Sequence, residues 1–205
     1  MSVQGSFFNE EDAGKISLLN GELAYYPQFF NLSESNHFMQ VLQDTITWKQ
    51  ESMKIYGKEV LFPRLMAWYG DAASSYGFSG NIFSPEAWTA ELQQIRDRIT
   101  PVSGQAFNSV LLNLYRNGND SMGWHADDEP ELGRNPVIAS VNFGATRRFQ
   151  LRYKSDHQRK YELSLQHGSL LVMKGPLQEY WEHQVPKTTK ISHGRINLTF
   201  RFIHP

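Results

Sequence analysis

The sequence predicts an α+β fold, two helices ahead of an antiparallel barrel or jelly roll, and three observations carry that prediction. Two segments in the first half place apolar residues at helical spacing. From Phe107 onward the apolar period shortens to two, and glycines punctuate the remainder at intervals of a strand and a turn. The 205 residues suit one domain, and 40% hydrophobic content is enough for a packed core.

Taken in order, residues 1–22 are polar and acidic, carry Gly5, Gly14 and Gly21, and read as a flexible lead-in to a single domain over 23–205. Asn31 to Ile46 follows as the first helix, with Ser33 as N-cap and Phe38, Val41, Leu42 and Ile46 on one face. The second helix takes Ser84 as N-cap and Pro85 in its first turn. Trp88, Leu92, Ile95 and Ile99 form its stripe, and Thr100-Pro101 ends it. Strands are expected at Ser109–Arg116, Val137–Phe143, Arg148–Tyr153, Tyr161–Leu165, Ser169–Met173 and Arg195–Ile203.

Composition removes several chemistries. Without cysteine there are no disulfides, thiolate zinc sites, iron–sulfur clusters or cysteine nucleophiles, so any metal must be held by His, Asp or Glu. GxGxxG, GxxxxGK, HExxH and GxSxG are all missing, which removes the anchors of dinucleotide, P-loop, zinc-protease and serine-hydrolase readings. No secretory signal opens the chain, and no run reaches the ~18 apolar residues of a membrane span. A soluble, intracellular protein without a membrane partner is expected. The net charge of −1 leaves nucleic acid open, because a basic face can sit inside a neutral total.

Two constellations point to chemistry. His125-Ala-Asp127, on an extended segment, turns both side chains the same way, as two neighbouring ligands of one metal require. A third ligand would complete the two-His, one-carboxylate set of non-haem Fe(II), with His157, His167, His183, His193 and His204 as candidates. His183 stands out modestly, in the aromatic-rich stretch Tyr180–Val185. In Arg195-Ile-Asn-Leu-Thr-Phe-Arg-Phe202 the polar set Arg195, Asn197, Thr199 and Arg201 alternates strictly with apolar residues. Two guanidinium groups on one face make a clamp for a small dianion, each taking a carboxylate by two parallel hydrogen bonds. Asn113 and Tyr115 form a similar pair, with Leu112 and Leu114 facing the other way. Ferrous iron beside a dicarboxylate clamp is what an oxygenase using 2-oxoglutarate and O2 requires.

Together, Asn113-Leu-Tyr115, His125-Ala-Asp-Asp-Glu129, His183 and Arg195-Ile-Asn-Leu-Thr-Phe-Arg201 resemble the AlkB family of Fe(II)/2-oxoglutarate dioxygenases. The likeness runs from about Lys49 to Ile203 and is strongest toward the branch acting on duplex DNA. It includes Ser140-Val-Asn-Phe-Gly144 and His167-Gly-Ser-Leu-Leu171. The resemblance implies a double-stranded β-helix, with a jelly-roll core over about 105–203 and a nucleotide-recognition region over about 49–80. It implies iron held by His125, Asp127 and His183, and 2-oxoglutarate bound by Asn113, Tyr115, Arg195, Asn197, Thr199 and Arg201. Arg195 with Tyr115 is expected at the far carboxylate, and Arg201 with Asn113 nearer the iron.

The implied reaction hydroxylates an N-methyl carbon of 1-methyladenine or 3-methylcytosine in DNA, after which formaldehyde leaves and the base is restored, with succinate and CO2 as co-products. A base in a duplex must be flipped out to reach such a site. Tyr76 and Phe78 match the positions that cover the flipped base, and Asp128 a carboxylate that accepts from an exocyclic amine. The segment Lys54–Arg64 resembles the family's wedge hairpin, with Tyr56 as the wedge, Gly57 at the turn and Lys58 toward phosphate. Arg147, Arg148, Arg152, Lys154, Arg159 and Lys160 supply a basic strip for the backbone, joined by Lys187 and Lys190. Duplex DNA is favoured over single strands, the protein is expected to be a monomer, and its place would be the nucleoid of a bacterium or the nucleus of a eukaryote. The alternatives are a same-fold oxygenase for RNA, protein or a small molecule, a hydrolytic metalloenzyme, and a jelly-roll binding module without catalysis.

Overall fold

In the computed structural model, the described residues are 14–55, 57–72, 76–78, 81–83 and 85–204, with the side chains of 53–55, 76–78 and 81–83 left aside. Fifteen strands run in chain order: β1 Gly14–Leu18, β2 Gly21–Tyr26, β3 Ser52–Ile55, β4 Lys58–Leu61, β5 Leu65–Gly70, β6 Tyr76–Phe78, β7 Asn81–Phe83 and β8 Ser109–Tyr115 in the first part. Then come β9 Met122–His125, β10 Ile138–Gly144, β11 Arg147–Tyr153, β12 Asp156–Leu165, β13 Ser169–Lys174, β14 Trp181–Val185 and β15 Arg195–Arg201. Helices α1 Leu32–Thr45 and α2 Ala90–Ser103, the single turn α3 Leu177–Tyr180 and a 3-10 turn at Pro130–Leu132 complete the set among the described residues.

A seven-stranded sheet has the order β1-β2-β13-β10-β15-β8-β5, and a four-stranded sheet the order β12-β11-β14-β9. Every ladder within them is antiparallel, as a jelly roll requires. The hairpins β3–β4 and β6–β7 stand apart as two-stranded sheets. No helix among the described residues is long and apolar enough to cross a membrane.

Strand alternation divides the interior into two apolar cores. Ile196, Leu198 and Phe200 of β15, Val110 and Leu112 of β8, and Ala139, Val141 and Phe143 of β10 pack against Phe38 and Leu42 of α1 and Leu92, Ile95 and Ile99 of α2. Tyr115, Ile138, Leu171 and Met173 of the larger sheet meet Phe149, Leu151, Trp181 and Val185 of the smaller one. The polar stripe of β15 therefore faces the space between the sheets, a consequence of its period of two.

Several boundaries differ from expectation for identifiable reasons. The lead-in expected over 1–22 is strand from Gly14, because β1 pairs with β2 and β2 with β13; residues 1–13 lie outside those described. The first helix is capped by Asn31 rather than Ser33: Asn31 Oδ1 accepts from Glu34 N at 2.9 Å and Glu34 Oε2 accepts from Asn31 N at 2.9 Å, a reciprocal box. The second helix begins after Thr89, not after Ser84, because Glu86 is drawn into hydrogen bonds with Trp68 and Gly70 on β5. Trp88 consequently stacks on Phe200 instead of heading the helical stripe. Pro101 sits inside the last turn, and the helix ends at Gly104, whose φ of 71° suits glycine.

Asn31→Ala removes the acceptor side of the box and is expected to destabilise the fold by about 0.5–2 kcal/mol. The check is a urea titration, in which the midpoint falls while the slope stays at the wild-type value.

Candidate functional site

Register builds the first half of the site. β14 pairs with β9 so that His183 lies directly opposite His125. The two rings sit 4.2 Å apart between centroids at 61°. Asp127, two residues beyond His125, completes a group whose ligand atoms all lie within 4.8 Å of one another. A separation that small lets one ion reach all three. His125 Nδ1 lies 2.9 Å from the carbonyl of Gly123, which assigns the ring proton to Nδ1 and leaves Nε2 its lone pair. The backbone N–H of Asp127 donates to Gln178 Oε1 at 3.0 Å, and the His183 ring rests against Phe149.

Electrostatics set the protonation states a metal needs. Burial opposes the charge of Asp127, but the Arg201 guanidinium, then His183 and His125, outweigh it and hold the carboxyl below its ordinary range. Arg201 Nη2 donates directly to Asp127 Oδ1. Burial first, with the field of His125 second, pushes His183 down to about 3, against the pull of Asp127. At neutral pH His183 is therefore neutral and Asp127 ionised, the forms that bind metal without first losing a proton.

The second half comes from β8 and β15, which pair Arg195 with Tyr115 and Asn197 with Asn113. Asn113, Tyr115, Arg195, Asn197, Thr199 and Arg201 all line one cavity of about 430 Å³, which His125, Asp127 and His183 also line. Arg195 is 1% exposed and its Cζ lies 4.9 Å from the Tyr115 ring centroid. Burial above all brings its pKa down to about 10, so it stays cationic at neutral pH. Asn197 Nδ2 donates to Ser140 Oγ at 2.9 Å, and Thr199 Oγ1 donates to Asn197 Oδ1 at 3.2 Å.

Other expected residues fall elsewhere. Asp128 does not line this cavity; it is paired with Lys154 Nζ at 3.0 Å and borders a smaller pocket. His125, Asp127 and Glu129 follow one another at intervals of two and all line the cavity, whereas Asp128 falls between them and turns away. Glu129 takes the inward position instead: it lines the cavity, and its Oε2 is buried without a hydrogen-bond partner. Its carboxyl is pushed up, by burial first and then by Asp127 and Asp128, against the pull of Arg201.

Gly57, with φ of 77°, turns the β3–β4 hairpin, and Lys58 is exposed on it. Tyr56 lies outside the described residues, as do the side chains of Tyr76 and Phe78, whose backbones form β6. The basic strip is largely committed within the protein. Arg147 is buried, donating to the carbonyls of Asn117, Asp120 and Pro186. Arg152 pairs with Glu182 and covers Trp124, while Arg148 and Arg159 lie 3.8 and 4.0 Å from Glu162 and Asp156.

Three cavity or supporting residues were given no role by the sequence, although Arg64 and Asn142 lie in segments that carry the resemblance. Arg64 is 3% exposed and donates from Nε to Asn113 Oδ1 at 2.7 Å. Asn142 accepts from Arg195, and Gln178 supports Asp127 from α3. The role of each comes from its hydrogen bonds in the packed fold.

Comparisons with known proteins bear on the family and the fold. The family described as the 2OG-Fe(II) oxygenase superfamily matches residues 22–201. Human alpha-ketoglutarate-dependent dioxygenase alkB homolog 3 is 40% identical over 189 residues, covering 88% of this chain and 65% of that protein. Human DNA oxidative demethylase ALKBH2 is 40% identical over 188 residues, covering 87% and 72% respectively. The chain thus spans 65% of the length of the human and bovine alkB homolog 3 proteins it matches. A solved structure described as that of OsALKBH1, at 18% identity, superposes with a TM-score of 0.64 over 92% of this chain and 99% of its own, which shows a shared fold.

The His183 environment has a measurable consequence. With metal removed by a chelator, the unfolded chain takes up a proton at residue 183 below pH 6.5, whereas the folded protein refuses it down to about 3. Stability is therefore expected to fall as pH drops through that window, with Asp127 contributing only below its ordinary 3.8. His183→Asn is expected to flatten the acid limb of an unfolding free energy against pH plot; an unchanged slope would refute the assignment.

Proposed function

The chain belongs to the 2OG-Fe(II) oxygenase superfamily and, within it, to the AlkB homologues, and on that premise we propose that it removes methyl groups oxidatively from N-alkylated bases in DNA. The observation that carries this reading is the meeting of two requirements in one cavity: two imidazoles with a carboxylate, and a buried guanidinium with donors to spare.

Both parts fit the groups the family uses. His125, Asp127 and His183 would hold Fe(II) as a facial set, leaving positions for 2-oxoglutarate and O2. Among the described residues, Arg195 Nε and Nη1 are buried without a hydrogen-bond partner, donors that a carboxylate of 2-oxoglutarate would take. The contact of Arg201 with Asp127 supports its assignment nearer the metal, and the stacking of Arg195 on Tyr115 supports theirs at the far carboxylate. Iron, O2 and 2-oxoglutarate, when bound, supply the oxidation that converts an N-methyl into an N-hydroxymethyl group, from which formaldehyde departs.

The rest of the work falls to the chain. Arg201 keeps Asp127 ionised. Phe149 packs its ring against the His183 imidazole at 5.0 Å between centroids and holds it in place. Glu129 takes over the role expected of Asp128, offering a buried carboxyl oxygen to the exocyclic amine of a flipped base. Tyr76 and Phe78 remain the proposed cover for that base, and Tyr56, Gly57 and Lys58 the proposed wedge and phosphate contact that favour duplex over single strands.

The test is formaldehyde release from 3-methylcytosine oligomers, duplex and single-stranded. Release is expected only with Fe(II), O2 and 2-oxoglutarate together, and Asp127→Ala is expected to abolish it; activity that persists without 2-oxoglutarate would reject the assignment. Tyr56→Ala is expected to depress turnover of duplex substrate severalfold while sparing the single strand. Equal losses on both would remove the wedge.

A further inference from the structure

Arg195 is a buried cation whose protein partners are all uncharged or of like charge. Its Nη2 donates to Asn142 Oδ1, Tyr115 lies against its face and favours the cation, and Arg147, a second cation, opposes it. Arg201 at the other end of the same stripe differs, since Asp127 engages it. Burying a guanidinium without a counter-charge is costly, and a protein-supplied carboxylate would be the ordinary remedy.

Asn142 supplies an acceptor without supplying a charge. It is 1% exposed and lies on β10, opposite Asn197 of β15. The direction of its amide is set by its surroundings: Nδ2 donates to the carbonyl of Ser140 at 3.2 Å and to Ser169 Oγ at 3.4 Å, and Ser169 Oγ is itself committed to the carbonyl of Gln166 at 2.7 Å. That leaves Oδ1 toward Arg195, with Asn197 Nδ2 at 3.4 Å as a second donor.

We propose that Asn142 is a positioning residue that aims the Arg195 guanidinium into the cavity while leaving its charge uncommitted, and so sets the preference of the site for a keto acid with a second carboxylate. The inference rests on the reading that 2-oxoglutarate occupies this cavity. An aspartate at 142 would keep the alignment but satisfy the cation from within; an alanine would keep the charge but release the alignment. A neutral amide does neither.

The experiment measures binding rather than turnover. Affinities for 2-oxoglutarate and for 2-oxopentanoate, which lacks the far carboxylate, are taken by calorimetry on Mn(II)-loaded protein without oxygen, for wild type, Asn142→Asp and Asn142→Ala. Wild type is expected to prefer the diacid. Asn142→Ala is expected to bind 2-oxoglutarate about tenfold more weakly and Asn142→Asp about a hundredfold or more, with 2-oxopentanoate and Mn(II) affinities unchanged. Should Asn142→Asp fail to fold, the selectivity of Asn142→Ala decides alone. Equal weakening for both keto acids, or unaltered preference for the diacid, would overturn the inference and leave the functional reading standing. Wild-type protein that binds Mn(II) but not 2-oxoglutarate would instead overturn that reading, and this inference with it.

Discussion

Keeping Asp127 ionised inside a dry sandwich is the constraint on which the rest of the site depends. Its carboxylate is met by Arg201 from the larger sheet and lies beside His183 from the smaller one, so a single buried charge ties the two layers together. Its backbone is tied separately, through Gln178, to the short turn α3. Removing one partner of such a buried pair strands the other, at a cost of about 3–5 kcal/mol. Geometry and charge state are thus maintained by the same contacts, and the site is preorganised before any ligand arrives.

Much of the fold was legible because strand and helix periods differ. The six later strands, the Phe38–Leu42 and Leu92–Ile99 stripes and the polar face of β15 all follow from spacing, and each lies within a few residues of its expected place. Of the strands without an expected counterpart, β5, β9 and β14 are held by partners distant in sequence, β1 and β2 pair with each other, and β6 pairs with β7. β2, reading Gly-Glu-Leu-Ala-Tyr-Tyr, is mixed in character and becomes a strand by adding to β13, more than a hundred residues away. The start of α2 was misjudged for a similar reason: Pro85-Glu86 has a respectable helix-start pattern, yet tertiary hydrogen bonds to β5 hold it extended.

The site divides along the same line. His125-Ala-Asp127 and Arg195–Arg201 announced themselves because both members of each set lie on one segment. His183 was one of five candidate histidines until the pairing of β14 with β9 singled it out. Glu129 and Asp128 are adjacent and chemically alike, and what separates them is that Glu129 shares the two-residue spacing of His125 and Asp127. The cations of β11 and β12 formed a basic strip in one dimension, whereas the fold sets Glu162, Asp156 and Glu182 beside them.

That a cavity carrying several charged side chains persists in a stable fold follows from where the apolar surface went. An antiparallel sandwich ordinarily relies on the facing surfaces of its two sheets for its core. In this protein the larger sheet has a second option, because α1 and α2 cover its outer face and bury Leu112, Val141, Leu198 and Phe200 completely. The inner face of the same strands is then released from having to be apolar along its whole length, and Ser140, Asn142, Asn113, Asn197 and Arg195 occupy it. The two helices therefore do more than precede the barrel: by taking the hydrophobic side of alternating strands, they leave its other side free for chemistry.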